Sequence, residues 1–324
     1  MTMLAAKEDL EICFAHAAYR LREHFLARGT GIRSFEVRTR EALEAQIGAA
    51  DVLVISGLWQ DALLEKAGRL RFIQSISAGV DQYGREALAR RGVRLASAHG
   101  ANARAVAEHA MALVLALARR LAEARDNQAR KFWRGMIGDP SAREGELGGK
   151  TMLIVGLGRI GSNIAGLAKA FGMTVLAIKR DPASGAGAAD QIVAPDRLAS
   201  LVGQADFVVL SCPLTAETTR LIDASVLARF RPSAFLVNVA RGRCVDEPAL
   251  IEALEEKRLA GAALDCAEAE PLPPTSPLWT MPNVLITPHT AGETQAYEDN
   301  VLDLLLENLD RLWRGETVLR NQIV

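Results

Sequence analysis

A glycine-rich turn near the middle of the chain constrains the fold more than any other feature. The apolar, β-prone run 151–155 leads into Gly156-Leu-Gly158-Arg-Ile-Gly161, and a helical pattern follows. In this strand–turn–helix context G-x-G-x-x-G indicates dinucleotide binding. Gly156 would allow the tight turn, Gly158 would let a pyrophosphate approach the backbone, and Gly161 would let the helix pack against the strand. The alternative is a tight turn that binds no ligand.

Composition narrows the choice of partners. The 324 residues include 38 Lys and Arg against 39 Asp and Glu, so the net charge gives no reason to expect a nucleic acid or an anionic membrane. The chain has no transmembrane-length apolar run and no signal-peptide pattern, so we expect a cytoplasmic protein. Four widely spaced cysteines indicate reduced core thiols and no metal site. They are Cys13, Cys212, Cys244 and Cys266.

Short apolar runs alternate with helical patterns in two series, which predicts two doubly wound parallel sheets, an α/β fold. A single long helix, from Ala103 to about Ala129, is predicted between the two series. The first series has predicted strands 10–15, 34–37, 51–56, 71–75 and 93–96 and helices 17–27 and 38–47. The second has predicted strands 152–156, 174–178, 207–211, 234–239, 261–265 and 284–287, followed by a helix over 296–313.

Residues suited to carbonyl chemistry follow three strands of the second series. Arg241 follows one strand, Glu268 and Glu270 follow the next, and His289 follows the last. A histidine can give a proton to a carbonyl oxygen, a nearby glutamate favours its protonated form, and an arginine can hold a carboxylate. A nicotinamide cofactor would supply the hydride. Each residue taken alone could be structural, and the remaining histidines are interpreted as surface or satisfied core residues. They are His16, His24, His99 and His109.

Several motifs in this order resemble the D-isomer-specific 2-hydroxyacid dehydrogenases over nearly the whole chain. The motifs are Asn238-x-x-Arg241-Gly242-x-x-Val245-Asp246-Glu247, Cys212-Pro213-Leu214-Thr215, Glu270-Pro271-Leu272-Pro273, Ser276-Pro277-Leu278-Trp279 and Thr287-Pro288-His289. The resemblance implies that Arg241, Glu270 and His289 are catalytic, with Glu270 rather than Glu268 at the motif position. It also implies that the loop with Ala78 and Gly79 binds the substrate carboxylate. The implied cofactor-binding residues are Gly156, Gly158, Arg159, Ile160, Gly161, Cys212, Pro213, Asp265 and Val106.

The resemblance also implies an architecture. A Rossmann cofactor domain, 102–292, would be inserted into a flavodoxin-like substrate domain made of 1–101 and 293–324. The active site would lie in the cleft, where closure excludes water. The resemblance further implies a homodimer formed through the cofactor domain and a small 2-keto acid substrate such as glyoxylate or hydroxypyruvate.

The end of the second strand of the cofactor unit departs from the commonest pattern. An acidic residue normally binds the ribose 2′-hydroxyl there, but Lys179 and Arg180 occupy this place and Asp181 comes two residues late. Two cations can pair with a 2′-phosphate, so we predict NADP(H) in preference to NAD(H). In the alternative, both cations are solvated and Asp181 binds the ribose.

Other functions remain open at this point. An NAD(H)-dependent D-2-hydroxyacid dehydrogenase and a phosphite-type dehydrogenase share the motifs. A non-catalytic nicotinamide-sensing corepressor or scaffold could share the fold. Trp59 could line the active-site cleft or pack as a core corner, and Trp133 has the same ambiguity.

Overall fold

The protein is described by a computed structural model that covers residues 4–185 and 187–324. Its contacts divide the chain into two compact units. The first unit joins the chain up to Asn102 with Thr294–Val324, and the second is Ala103–Glu293.

The first unit is a five-stranded parallel sheet in the order β2-β1-β3-β4-β5, which is the flavodoxin-like order. Its strands are β1 (Glu11–Ala15), β2 (Arg33–Val37), β3 (Val52–Ile55), β4 (Phe72–Ser75) and β5 (Arg94–Ala96). Its helices are α1 (Leu21–Ala27), α2 (Arg40–Gln46), α3 (Arg85–Arg91) and, near the end of the chain, α10 (Tyr297–Trp313).

Both faces of this sheet are covered, as parallel strands require. Ile12 and Phe14 of β1 enter a core that contains α10 residues such as Val301. The alternate residues Cys13 and Ala15 enter a second core on the opposite face. The predicted C-terminal helix therefore belongs to the first unit.

The second unit is a seven-stranded parallel sheet in the order β12-β11-β10-β9-β6-β7-β8. Its strands are β6 (Thr151–Val155), β7 (Thr174–Ile178), β8 (Gln191–Val193), β9 (Phe207–Leu210), β10 (Phe235–Asn238), β11 (Gly261–Leu264) and β12 (Val284–Ile286). Its helices are α4 (Ala103–Ala118), α5 (Leu121–Ala129), α6 (Arg159–Ala170), α7 (Leu198–Val202), α8 (Ala224–Leu227) and α9 (Glu247–Glu255).

The strand order reverses between β6 and β9, which is the point where an open parallel sheet binds its ligand. The two doubly wound parallel sheets that the sequence predicts are confirmed. The prediction of six strands in the second sheet was wrong, because β8 adds a seventh at its edge. This strand is only three residues long, too short for an alternating pattern to stand out.

The single long helix predicted from Ala103 to about Ala129 was also wrong. The chain forms α4 and α5, and Arg120 lies between them in the left-handed backbone region with φ +51°. No glycine or proline marks this break. The first predicted helix is likewise shorter than expected, since α1 begins at Leu21 rather than at residue 17.

Candidate active site

The three glycines of the turn after β6 have three different environments. Gly156 has φ +101°, and a Cβ there would lie 2.7 Å from the Cα of Cys212. A Cβ on Gly161 would lie 2.2 Å from the carbonyl oxygen of Gly156. A Cβ on Gly158 would meet no atom within 4 Å. Gly156 and Gly161 are therefore needed for packing, whereas Gly158 leaves open space at the start of α6, where backbone N–H groups suit a phosphate.

The other predicted cofactor-binding residues surround this turn. Cys212 is buried directly after β9, and Pro213 is exposed beside it. Arg159 is exposed in the first turn of α6, and Ile160 packs against the core that contains Val106 of α4. The glycine turn thus lies at the point where the strand order of the sheet reverses. Ile160, next to the turn, joins it to the apolar core that contains Val106.

The three charged residues that follow β7, Lys179, Arg180 and Asp181, have different surroundings. Lys179 is half-buried as a residue, and its ammonium donates an exposed hydrogen bond to the Gly185 carbonyl oxygen at 3.3 Å. Arg180 is exposed. Asp181 accepts from the Ala183 N–H at 3.1 Å and caps the short turn that follows. The carboxylate of Asp181 therefore serves the turn, as its late position indicated.

Arg180 has an acidic neighbour on the loop after β9. Hydrogen bonds from Thr215 and from the backbone hold the pKa of Glu217 below its usual range, and the charge of Arg180 adds to this effect. The two cations after β7 consequently share their surroundings with two carboxylates, those of Asp181 and Glu217.

The turn that carries Arg241 is held by hydrogen bonds of the buried Asn238 side-chain amide. The Asn238 side chain donates to the Arg241 carbonyl oxygen at 3.0 Å and accepts from the Ala240 N–H at 3.0 Å. A Cβ on Gly242 would lie 1.9 Å from the Ala267 carbonyl group, so this turn packs directly against the loop after β11. The Arg241 side chain itself is exposed and donates to the Ala240 carbonyl oxygen.

The side chains of Glu270 and His289 are hydrogen-bonded to each other at this edge of the sheet. The Nδ1 atom of His289 lies 2.8 Å from Oε2 of Glu270, and the Ala267 N–H donates to the other carboxylate oxygen at 3.1 Å. Glu268 points elsewhere, because its carboxylate lies 3.7 Å from the guanidinium of Arg220. Of the two glutamates that the sequence offered, Glu270 is the one that contacts the histidine.

This geometry assigns the protons of the His289 ring. An ionised carboxylate can only accept a hydrogen bond, so Nδ1 of His289 carries a hydrogen atom and donates this bond to Glu270. The Nε2 atom is then the position that can hold or release a proton toward a ligand. The ring is 45% exposed, which leaves that atom accessible.

A buried network lies beneath His289. The Asp265 carboxylate, 3% exposed, accepts from the Thr287 hydroxyl at 2.7 Å and from the Thr290 N–H at 3.0 Å and the Ala291 N–H at 3.1 Å. Nε2 of His109 lies 3.0 Å from the same Thr287 hydroxyl. His109 is thus a half-buried histidine with a hydrogen-bond partner, as interpreted, but that partner was not predicted, because no sequence spacing links α4 to a turn 178 residues away.

A cavity of about 400 Å³ opens beside the Glu270–His289 pair. Its walls are largely apolar, with Glu270 and His289 among the few polar groups that face it. The apolar residues that line it include Leu264, Leu272, Leu278, Trp279 and Ile286.

In the first unit, Ala78 and Gly79 lie on the loop that follows β4, where Ala78 is exposed and Gly79 half-buried. The same loop is tied to the end of β3, since the Ser56 and Ser77 hydroxyls lie 2.5 Å apart.

Trp59 is a core residue that packs on Tyr83 with ring centroids 5.6 Å apart. Trp133, in the second unit, is almost fully exposed.

The four cysteines are buried free thiols, as predicted. A hydrogen bond from Cys212 lowers the pKa of Cys244, and the nearby Arg241 contributes to this shift. Burial raises the pKa of Cys13 to about 12.

Within residues 4–185 and 187–324, no helix is long and apolar enough to cross a membrane.

Comparisons with known proteins agree with this fold. Residues 111–291 match the family model described as D-isomer specific 2-hydroxyacid dehydrogenase, NAD binding domain. The chain is 38% identical over 298 residues to glyoxylate/hydroxypyruvate reductase B of Escherichia fergusonii, covering 91% of each protein. It is 37% identical to D-3-phosphoglycerate dehydrogenase of Methanocaldococcus jannaschii over 86% of the chain, but spans only 52% of that relative.

A solved structure shows the same relationship. A D-isomer specific 2-hydroxyacid dehydrogenase family protein from Aeromonas salmonicida superposes with a TM-score of 0.85 at 32% identity, covering 98% of this chain and 99% of the other. The fold and the comparisons define an oxidoreductase with an NAD(P)-binding domain. The chain belongs to the D-isomer-specific 2-hydroxyacid dehydrogenase family, which confirms the resemblance seen in the motifs.

The environment of Gly158 leads to a test of cofactor binding. Gly158→Ala should leave the melting temperature nearly unchanged, because the added methyl meets no protein atom. It should weaken NADPH and NADH binding by at least about tenfold, or ~1.4 kcal/mol, because the methyl occupies the approach of the phosphates. Fluorescence titration of the purified variant measures this.

The matched control is Gly166→Ala in the same helix, where a Cβ also meets no atom within 4 Å. This change should retain cofactor affinity, with stability equal or slightly raised because alanine favours a helix interior. Equal affinities of the two variants would show that Gly158 does not face the cofactor.

Proposed function

We propose that the protein reduces a small 2-keto acid, such as glyoxylate or hydroxypyruvate, to the D-2-hydroxy acid with NADP(H). The observation that carries the proposal is the 2.8 Å pairing of His289 with Glu270 at the carboxyl edge of the second sheet. The 38%-identical glyoxylate/hydroxypyruvate reductase B supports this choice of substrate class.

In the proposed reaction His289 is the proton donor. Glu270 accepts from Nδ1, orients the ring and stabilises its protonated form, so that Nε2 delivers a proton to the keto oxygen. Arg241 binds the substrate carboxylate through its planar guanidinium, together with the backbone N–H groups of Ala78 and Gly79. Binding in a fixed orientation lowers the entropic part of the barrier.

The cofactor, when bound, supplies or accepts the hydride. Its pyrophosphate would be held at the start of α6 by the turn from Gly156 to Gly161, since Gly158 leaves open space there. Arg159, Ile160, Cys212 and Pro213 are the proposed neighbours of the phosphates and riboses, Val106 is part of the apolar wall, and Asp265 lies toward the nicotinamide side.

The preference for NADP(H) rests on the end of β7. Lys179 and Arg180 offer two cations, and Asp181 uses its carboxylate to cap a turn. A 2′-phosphate carries more charge than Glu217 and would compete for Arg180 with three strong acceptor oxygens.

Replacing His289 with alanine should lower turnover by roughly 10²–10⁴-fold, the contribution typical of a positioned general acid. The measurement is loss of nicotinamide absorbance with NADPH and a panel of 2-keto acids. His24→Ala, which changes a histidine of α1 in the first unit, is the control and should keep full turnover. A His289→Ala enzyme as active as the parent would refute the assignment.

Removing the two cations should change the cofactor preference. Lys179→Ser combined with Arg180→Ser should weaken NADPH binding by about 1.5–3 kcal/mol, roughly tenfold to hundredfold, with little effect on NADH. Arg229→Ser removes an exposed cation elsewhere in the unit and should change neither affinity. A parent enzyme with a higher kcat/KM for NADH, or unaltered NADPH affinity in the double variant, would contradict the preference.

We further propose a homodimer formed through the second unit. Large apolar side chains are exposed there in the segment that follows the break between α4 and α5, which favours a protein partner. They are Leu121, Phe132, Trp133 and Met136.

Charges placed in this segment should dissociate the dimer. Trp133→Asp with Met136→Asp should reduce the mass in sedimentation equilibrium from two chains to one, because a carboxylate cannot be buried unpaired in an apolar interface. Val318→Asp changes another exposed apolar residue, in the first unit, and should leave the mass unchanged. A parent protein that sediments as one chain would end this proposal.

A further inference from the structure

The direction of the hydrogen bonds beneath His289 follows from their chemistry. The Thr287 hydroxyl lies 2.7 Å from the Asp265 carboxylate, which can only accept, so the single hydroxyl hydrogen is directed at Asp265. The Thr287 oxygen must then accept from the His109 ring, 3.0 Å away. His109 is therefore protonated at Nε2, and the order of donation is His109 to Thr287 to Asp265.

The backbone at His289 requires an anchor. His289 has φ +56°, the left-handed region that costs a non-glycine residue of order 1 kcal/mol or more. On one side of it, the Thr287 side chain is bonded to Asp265. On the other side, the N–H groups of Thr290 and Ala291 are bonded to the same carboxylate. Asp265 thus holds both flanks of the proton donor.

His109, on α4, contacts both Thr287 and the anchoring carboxylate of Asp265. Its Nε2 also lies 3.5 Å from Oδ1 of Asp265, so the ring N–H faces both members of the chain. The ring extends from α4, a helix whose buried face packs in the core with α6. The Thr287 hydroxyl is consequently held between a rigid helix and a buried carboxylate, and its rotation would leave a buried donor or acceptor unsatisfied.

We propose that His109 is a positioning residue for the reaction. Through Thr287 and Asp265 it keeps the turn 287–291 in the conformation that presents His289 to Glu270 and to the keto oxygen. This inference rests on the proposed function, in which His289 donates the proton.

Two matched pairs of variants test the network. His109→Gln keeps an N–H donor near the position of Nε2, whereas His109→Met has a similar length and no donor. Thr287→Ser keeps the hydroxyl, whereas Thr287→Val removes it. We expect kcat to fall about tenfold in His109→Met and Thr287→Val, with KM for the keto acid and the affinity for NADPH nearly unchanged.

Two further kinetic results are expected if positioning is the role. The solvent deuterium isotope effect on kcat should rise in His109→Met, because a misplaced donor makes proton transfer more rate-limiting. The variants His109→Gln and Thr287→Ser should recover most of kcat. The combination His109→Met with Thr287→Val should cost little more than either change alone, because both break the same chain.

A purely structural role would lower the melting temperature of His109→Met without changing kcat per folded molecule or the isotope effect, and that result overturns the proposal. Equal losses of kcat in the Gln and Met variants would also overturn it.

If the parent reduces no 2-keto acid with either cofactor, the proposed function fails, and hydrogen exchange then decides the network alone. Amide exchange at Thr290 and Ala291 should be faster in His109→Met than in His109→Gln. Equal exchange in the two variants would refute the anchoring by His109.

Discussion

The buried carboxylate of Asp265 is the interaction on which the candidate site depends. A carboxylate that is 3% exposed is stable only when its oxygens are fully hydrogen-bonded, and Asp265 meets this condition with one hydroxyl and two backbone N–H groups. Its own N–H donates to the Asn238 carbonyl oxygen at 2.9 Å, and the Asn238 side chain shapes the turn of Arg241. One residue at the end of β11 thus connects the Arg241 turn with the His289 turn.

Close packing of backbone against backbone fixes the other parts of the site. Gly242 lies against Ala267, and Gly156 against Cys212, at distances that no side chain would permit. Loops held in this way have few alternative positions, so the side chains that they carry are ordered before a ligand arrives. In the proposed reaction, this order would lower the entropic cost of bringing His289, Arg241 and the substrate together.

The sequence predicted most of what depends on local pattern. Strand positions and the glycine turn follow from short patterns that reflect a strand and the loop behind it. The residues alone left Glu268 and Glu270 as possible partners of His289, and the family resemblance implied Glu270. The break at Arg120 was not predictable, because an arginine with positive φ has no turn signature. His109 was missed for another reason: its contact with Thr287 depends on how α4 packs across the end of the sheet, which tertiary structure determines. The burial of Trp59 likewise depends on its contact with Tyr83.

The proposed cofactor preference depends on a balance of charges at one strand end. Asp181 caps the turn at Ala183 through one carboxylate oxygen, and it comes two residues after the position where an acidic ribose ligand normally stands. Lys179 donates a hydrogen bond to the loop carbonyl of Gly185, so its ammonium lies near the turn that follows β7. Arg180 is partly offset by Glu217, whose charged form it stabilises. In the proposed preference, a 2′-phosphate would be attracted by Lys179 and Arg180 against the charges of Asp181 and Glu217, whereas a 2′-hydroxyl would lack an acidic residue at the position that normally binds it.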